Sequence, residues 1–206
     1  MAQPPPSSDI PNVFGMNEPQ HMLMKLYTEI QSLTESLSVW TKTDGFPKPL
    51  FIAWNTAVTA WHITDWLWAS RQATRDLLSK RYKFEYNEVT QSGRENGLRA
   101  FQKVICEECR ELKACEEIAN ASKHMRRPNN DPDIRVALDW KPAPKDVGLV
   151  KKGDLVMDLV VYDKEKKTDA QLVFIEAAGY LETLLKDQNI IAKDAPLPPK
   201  VIPVHQ

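Results

Sequence analysis

The chain has 206 residues, 42% of them hydrophobic and 27% charged, an ordinary globular composition with enough apolar side chains for a sizeable core. A formal net charge of −1 supplies no global field to gather a polyanion, which argues against generic DNA binding, because that affinity comes mainly from phosphate neutralisation. No apolar run approaches the roughly 20 residues that span a bilayer, and MAQPPPSSDIPNVFG at the amino terminus lacks a charged stretch followed by an apolar one. The three cysteines all fall within CEECRELKAC and are odd in number, unlike a secreted disulfide framework, so the expected setting is cytoplasmic.

Residues 1–18 carry Pro4, Pro5, Pro6 and Pro11 and little apolar content, which reads as an extended, Pro-rich disordered arm. From Glu18 the pattern turns helical: Pro19 suits a first turn, and Met22, Leu26, Ile30, Leu33 and Leu37 recur at three- and four-residue intervals. This first helix ends near Trp40, where TKTDGFPKP supplies a glycine and two prolines. A second helix starts near Pro49 and reaches Lys80, with Leu50, Trp54, Ala57, Trp61 and Trp68 forming a heptad-like stripe, the seam of a packed helix pair. KRYKFEYNEVTQSG holds the connection to a third helix, from about Arg94 to His124, with Leu98, Phe101, Ile105, Leu112, Cys115 and Ala119 facing inward.

RRPNNDPD stops that helix. IRVALDW alternates Ile134, Val136, Leu138 and Trp140 on one face, and DLVMDLVVYD is rich in valine, so both read as strands. After the charged turn KEKK, Thr168 and Gln171 have capping-box spacing and predict the start of a last helix over about 169–188, with Phe174, Ala177, Ala178, Leu181 and Leu185 inward. The expected fold is mainly α (α+β): a four-helix bundle with a β-hairpin between its third and fourth helices. One domain covers 19–190 with the hairpin at about 134–163, and APLPPKVIPVHQ lies in a Pro-rich tail, 191–206, that dangles or straps across a groove.

Two polar stripes run beside the apolar seams. On the second helix Asn55, His62 and Asp65 share a face; on the third, Glu117, Asn120 and His124 do. A histidine with a carboxylate in reach is an acid–base group near neutral pH, and two such histidines with Asp65 and Glu117 could hold a metal. The plainer reading makes His62 and Asp65 a buried pair that satisfies itself, with Asn120 and His124 closing a helix end. No metal is expected, because Cys106 and Cys109 form a single C-x2-C without a second half, and the Glu-x-x-His spacing of di-iron bundles is absent. No cofactor is expected either. Trp54, Trp61 and Trp68 read as core, whereas Trp66, off their stripe, is the candidate for lining a pocket. SKHMRR and SKRYK sit at predicted helix ends, where the helix dipole favours cations; if they converge with His124, Lys123, Arg126 and Arg127 would form an anion-binding surface suited to RNA.

AWHITDWLW, followed some fifty residues later by EEIANASKHM, resembles a motif pair, AWHxxDW and IANxSKH, of uncharacterised bacterial helical proteins. The resemblance covers residues 48–185 and brings no assigned activity. A helical bundle with a polar-x3-His element near a helix end is also similar to HEPN domains, many of which are toxin or defence ribonucleases built on Arg-x4-6-His. That similarity implies His124 as acid–base group, Asn120 as a positioning residue, and Lys123, Arg126 or Arg127 against the phosphate. The chain departs from the pattern in having no arginine four to six residues before His124; the nearest upstream is Arg110. The leading expectation is a cytoplasmic bacterial binding protein. Its His62/Asp65 and Asn120/His124 cleft would recognise a small ligand or a protein partner, with RNA and a homodimer admitted and no membrane. The alternatives are a HEPN-like metal-independent ribonuclease and a metal-dependent bundle enzyme in which His62 and His124 approach each other.

Overall fold

The computed structural model describes residues 18–39, 48–87, 91–123, 134–142 and 155–198. The proline-rich arm up to residue 17, the breaks over 40–47 and 124–133, the loop between the two long strands and the last eight residues of the tail lie outside them.

The first helix, α1 (Pro19–Val39), follows its apolar spacing: Leu23, Leu26, Ile30 and Leu33 are fully buried, and Leu37 packs at the edge of the core. The second expected helix is two helices, α2 (Lys48–Ser70) and α3 (Gln72–Tyr82), because Arg71 is extended (φ −147°, ψ 150°). No breaker residue marks the spot; the Arg75 guanidinium donates to the Trp68 carbonyl at 2.8 Å, occupying an acceptor that a continuous helix would have bonded internally. The break turns α3 so that Leu78 is buried and Tyr82 packs against the core. Helix α3 ends in a Schellman motif: Lys83 is left-handed (φ 57°) and Phe84 N donates to Ser79 O at 3.1 Å.

The third expected helix also divides, into α4 (Gln91–Glu108) and α5 (Arg110–Lys123). Cys109 stands between them with its sulfur accepting from Leu112 N at 3.4 Å, the geometry of an N-cap with a thiol in place of a hydroxyl. Two backbone bonds, Cys109 N to Ile105 O (2.9 Å) and Lys113 N to Cys109 O (3.2 Å), carry the helical ladder across the joint. Helix α4 runs antiparallel to α2: Gly97 lies on Trp68, and Gln102, further along, reaches Thr64 and Asp65.

Strands β1 (Ile134–Pro142), β2 (Leu155–Asp163) and β3 (Lys166–Asp169) form an antiparallel sheet in the order β1-β2-β3, with Leu138 opposite Leu159 and Val161 opposite Thr168. The expected hairpin is therefore a three-stranded sheet. Its third strand, KKTD, has no apolar alternation to announce it and takes its hydrogen bonds from β2. Helix α6 (Ala170–Asp187) follows at once, capped by Asp169, whose carboxylate accepts from Gln171 N at 2.7 Å. The cap thus falls one residue after Thr168, and the Gln171 amide reaches Thr34 of α1 instead of closing a capping box. A second Schellman motif ends α6: Asn189 has φ 52°, and Ile190 N donates to Leu185 O at 2.9 Å. Beyond it Ile191 is buried, and Ala195 and Leu197 lie against the core.

Helices α1, α2, α5 and α6 pack in a closed ring, each against its two neighbours, and their buried faces form one core with Leu159 and Val161 of the sheet. The architecture is mainly helical with a small sheet, but it is not a plain four-helix bundle: six helices occur among the described residues, with α3 and α4 packed outside the ring. None of those helices is long and apolar enough to cross a membrane.

Two glycines in helices should respond oppositely to alanine. Helix propensity favours Ala by about 1 kcal/mol at either site. At Gly97 the added methyl would overlap the Trp68 ring and come within 2.8 Å of Tyr86 Cβ, an overpacking that costs about 1–3 kcal/mol or more. At Gly179 nothing lies within 4 Å. Chemical denaturation should therefore show Gly97→Ala destabilised and Gly179→Ala stabilised by about 1 kcal/mol.

Candidate functional site

Asp65 is half-buried where α2 meets α4. Its Oδ1 accepts from Gln102 Nε2 at 2.9 Å, and the same amide nitrogen donates to Thr64 Oγ1 at 2.8 Å. Thr64 gives its own proton to Trp61 O at 2.8 Å, so both acceptors require donors and the Gln102 amide is fixed in one orientation. His62, one turn away on α2, is half-buried, and Asn55 is exposed.

On α5, Glu117 receives the Lys113 ammonium at 2.9 Å, and Asn120 is half-buried a turn beyond. Helices α2 and α5 are neighbours, but the residue opposite Asp65 is Gln102, and Asn120 lies about 27 Å of helix further along. The two polar stripes therefore run along one face of the bundle at different heights. Trp66 shares a face with Thr59, seven residues before it, and Thr59 accepts from Lys25 of α1; Trp66 is thus on the α1 side, away from Gln102, packed against the core. His124, Arg126 and Arg127 lie outside the described residues, and Lys123 is described only as backbone in the last turn of α5.

Below Gln102 a groove of about 570 Å³ runs along α4 and α5, lined by Arg99, Gln102, Lys103, Cys106, Glu107, Arg110, Lys113 and Glu116. Arg99, Lys103, Cys106, Arg110 and Lys113 follow one another by four, three, four and three residues, which holds them on one side of the nearly continuous α4–α5 rod. Sequence reading singled out Cys106 among these and noted Arg110 as the nearest arginine upstream of His124. The signal was present in RAFQKVICEECRELK, but each cation alone looks like solvated helix surface.

The cations are not equivalent. Arg110 donates to both Asp163 oxygens through Nε and Nη2, tying α5 to β2, and the Arg110 hydrogen bonds hold that carboxyl below the ordinary aspartate range. Lys113 meets Glu116 at 2.8 Å and Glu117 at 2.9 Å; burial opposes its charge, but the two carboxylates prevail and hold the ammonium above the ordinary lysine range. Arg99 and Lys103 are exposed and form no ion pair among the described residues. The groove is therefore positive at its α4 end and charge-compensated at its α5 end.

The surroundings of its thiol disfavour the thiolate. Burial first, and then the Glu116 carboxylate beside it, push Cys106 up to about 12, and burial raises Cys109 to about 11 and the fully buried Cys115 as well. Among the described residues no group of three or more histidine, cysteine or acidic side chains is placed to hold a metal ion. An ordinary thiol is partly ionised at pH 8, so the raised values should slow iodoacetamide alkylation of native protein at that pH, relative to urea-unfolded protein, on the order of 10³-fold at Cys106 and 10²-fold at Cys109. The native rate at Cys106 should keep rising about tenfold per unit beyond pH 10. Mass spectrometry of timed samples measures both.

Comparison of the chain with protein-family models, with curated proteins and with solved structures gave no match, so its functional assignment rests on the groove itself.

Proposed function

We propose that this chain is a binding protein that holds a small ligand, or an exposed segment of a partner, in the groove along α4 and α5 beside Asp65. The observation that carries this reading is the groove of about 570 Å³, with Arg99 and Lys103, two cations that form no ion pair among the described residues, at one end. Its walls are helical and supported from behind, since Gln102 is fixed by Thr64 and Asp65 of α2, and Arg110 by Asp163 of β2. A cytoplasmic setting belongs to the same reading and is supported by the three unpaired cysteines, which a reducing compartment preserves.

A second reading is a metal-independent ribonuclease similar to HEPN domains, with His124 as acid–base group, Asn120 positioning the substrate and Lys123, Arg126 or Arg127 against the phosphate. The experiment separates the two. Amide spectra of isotopically labelled protein, recorded against a library of small polar compounds, should shift at Arg99, Gln102, Lys103 and Arg110, and Arg99→Glu/Lys103→Glu should weaken any anionic binder found there at least tenfold. Shifts centred elsewhere, or no binder at all, would overturn the binding reading. RNA cleavage in EDTA by the wild type, abolished in a folded His124→Ala variant, would replace it with the ribonuclease.

A further inference from the structure

We infer that the groove takes one compact anionic group, a phosphate or a carboxylate, carried on a small molecule that also bears a hydroxyl or amine. This rests on the binding reading above and names the ligand's chemistry. Arg99 and Lys103 are four residues apart on α4, which brings their Cβ atoms to about 5–6 Å, close enough for a guanidinium fork and an ammonium to clasp one anion from two sides. Both are exposed and without an ion pair among the described residues, so an arriving anion breaks no existing ion pair of theirs.

The rest of the groove restricts the anion to that end. One turn beyond Lys103 stands Glu107, and further along Arg110 is already held by Asp163 and Lys113 by Glu116 and Glu117. A second negative charge following the helix would therefore meet carboxylates within about one Debye length of the first. The described lining contains no aromatic side chain, so a nucleic-acid base would find no stacking platform beside the cations.

Gln102 supplies the second half of the specificity. Its amide nitrogen is committed to Thr64 and Asp65, whereas its carbonyl oxygen has no hydrogen-bond partner among the described residues. Because the amide cannot flip without opposing oxygen to the Asp65 carboxylate, Gln102 offers the ligand an acceptor and never a donor. A ligand that satisfies both features has an anion for Arg99 and Lys103 and an O–H or N–H group nearby for Gln102.

The test is titration calorimetry at fixed ionic strength with inorganic phosphate, glycerol 3-phosphate, malate and a twelve-nucleotide single-stranded RNA, supported by amide shifts to locate each probe. At least one of the two hydroxylated anions should bind at Arg99–Lys103 at least tenfold more tightly than inorganic phosphate; the tighter of them identifies a phosphorylated or a carboxylic source. Arg99→Glu/Lys103→Glu should abolish that binding, and Gln102→Ala should erase the preference over phosphate while inorganic phosphate still binds. RNA binding tighter than either, with a log K against log salt slope near −2.8 as for four neutralised phosphates, would overturn the compact-anion inference and leave a binding protein. Neutral compounds shifting the groove while no anion does would overturn it in the same way. If no compound of any kind shifts the groove, both the inference and the reading beneath it fall.

Discussion

Trp68 is the contact on which the arrangement of the upper half of the molecule depends. Its indole is stacked on Phe101 with centroids 5.9 Å apart, meets Tyr86 edge-on at 4.8 Å, and donates from Nε1 to the Arg94 carbonyl at 3.0 Å. An indole buried this far needs both a partner for its N–H and backbone close to its ring, and Gly97 provides the close approach. Those two demands set the height of α4 against α2. With that height set, Gln102 falls opposite Asp65, and every groove residue further along the rod follows by helical geometry. The groove is in this sense a consequence of aromatic packing two turns away.

The helices were legible in the sequence where packing and local pattern agree. The three- and four-residue apolar spacing of α1 and α6 corresponds to buried side chains, as do Trp61 and Trp68 on the seam of α2, although Trp54 at the other end of that seam remains 36% exposed. The breaks at Arg71 and Cys109 were not legible, because neither residue type interrupts a helix by itself. At Arg71 the interruption is made by Arg75 bonding a carbonyl in the preceding helix, and at Cys109 by a sulfur acting as a cap. Strand β3 was hidden for a related reason, since four polar residues become a strand only when β2 is there to pair with them.

The site was legible in part. Asp65 stood out as a polar residue beside a tryptophan seam, and it does face another helix; its partner, a lone glutamine in α4, carries no signal of its own. The expectation that Asp65 and Asn120 would face each other required knowing the relative height of two helices, which periodicity leaves open. The cationic stripe was obscured by composition. Carboxylates alternate with the cations through the joint between α4 and α5, so the local net charge is small, and only the pairing of Arg110 with Asp163 and of Lys113 with Glu116 and Glu117 leaves Arg99 and Lys103 standing apart.

The ring of α1, α2, α5 and α6 closes the first helix against the last. Tyr27 of α1 donates to Glu182 of α6 across 155 residues of chain, and Gln171 reaches Thr34 in the same seam. On the ribosome, α1 and α2 emerge with Leu26, Ile30, Ala57 and Ile63 needing a wall that is translated well after them. At about 5–20 residues per second, the apolar inner faces of the first two helices wait several seconds for α6. Thr28 and Ser32, which bond their own helix on the exposed side of α1, keep that side wetted during that interval. A chain cut short before Ala170 would leave this core open along one whole side, and cellular quality control would meet it as an unfinished protein.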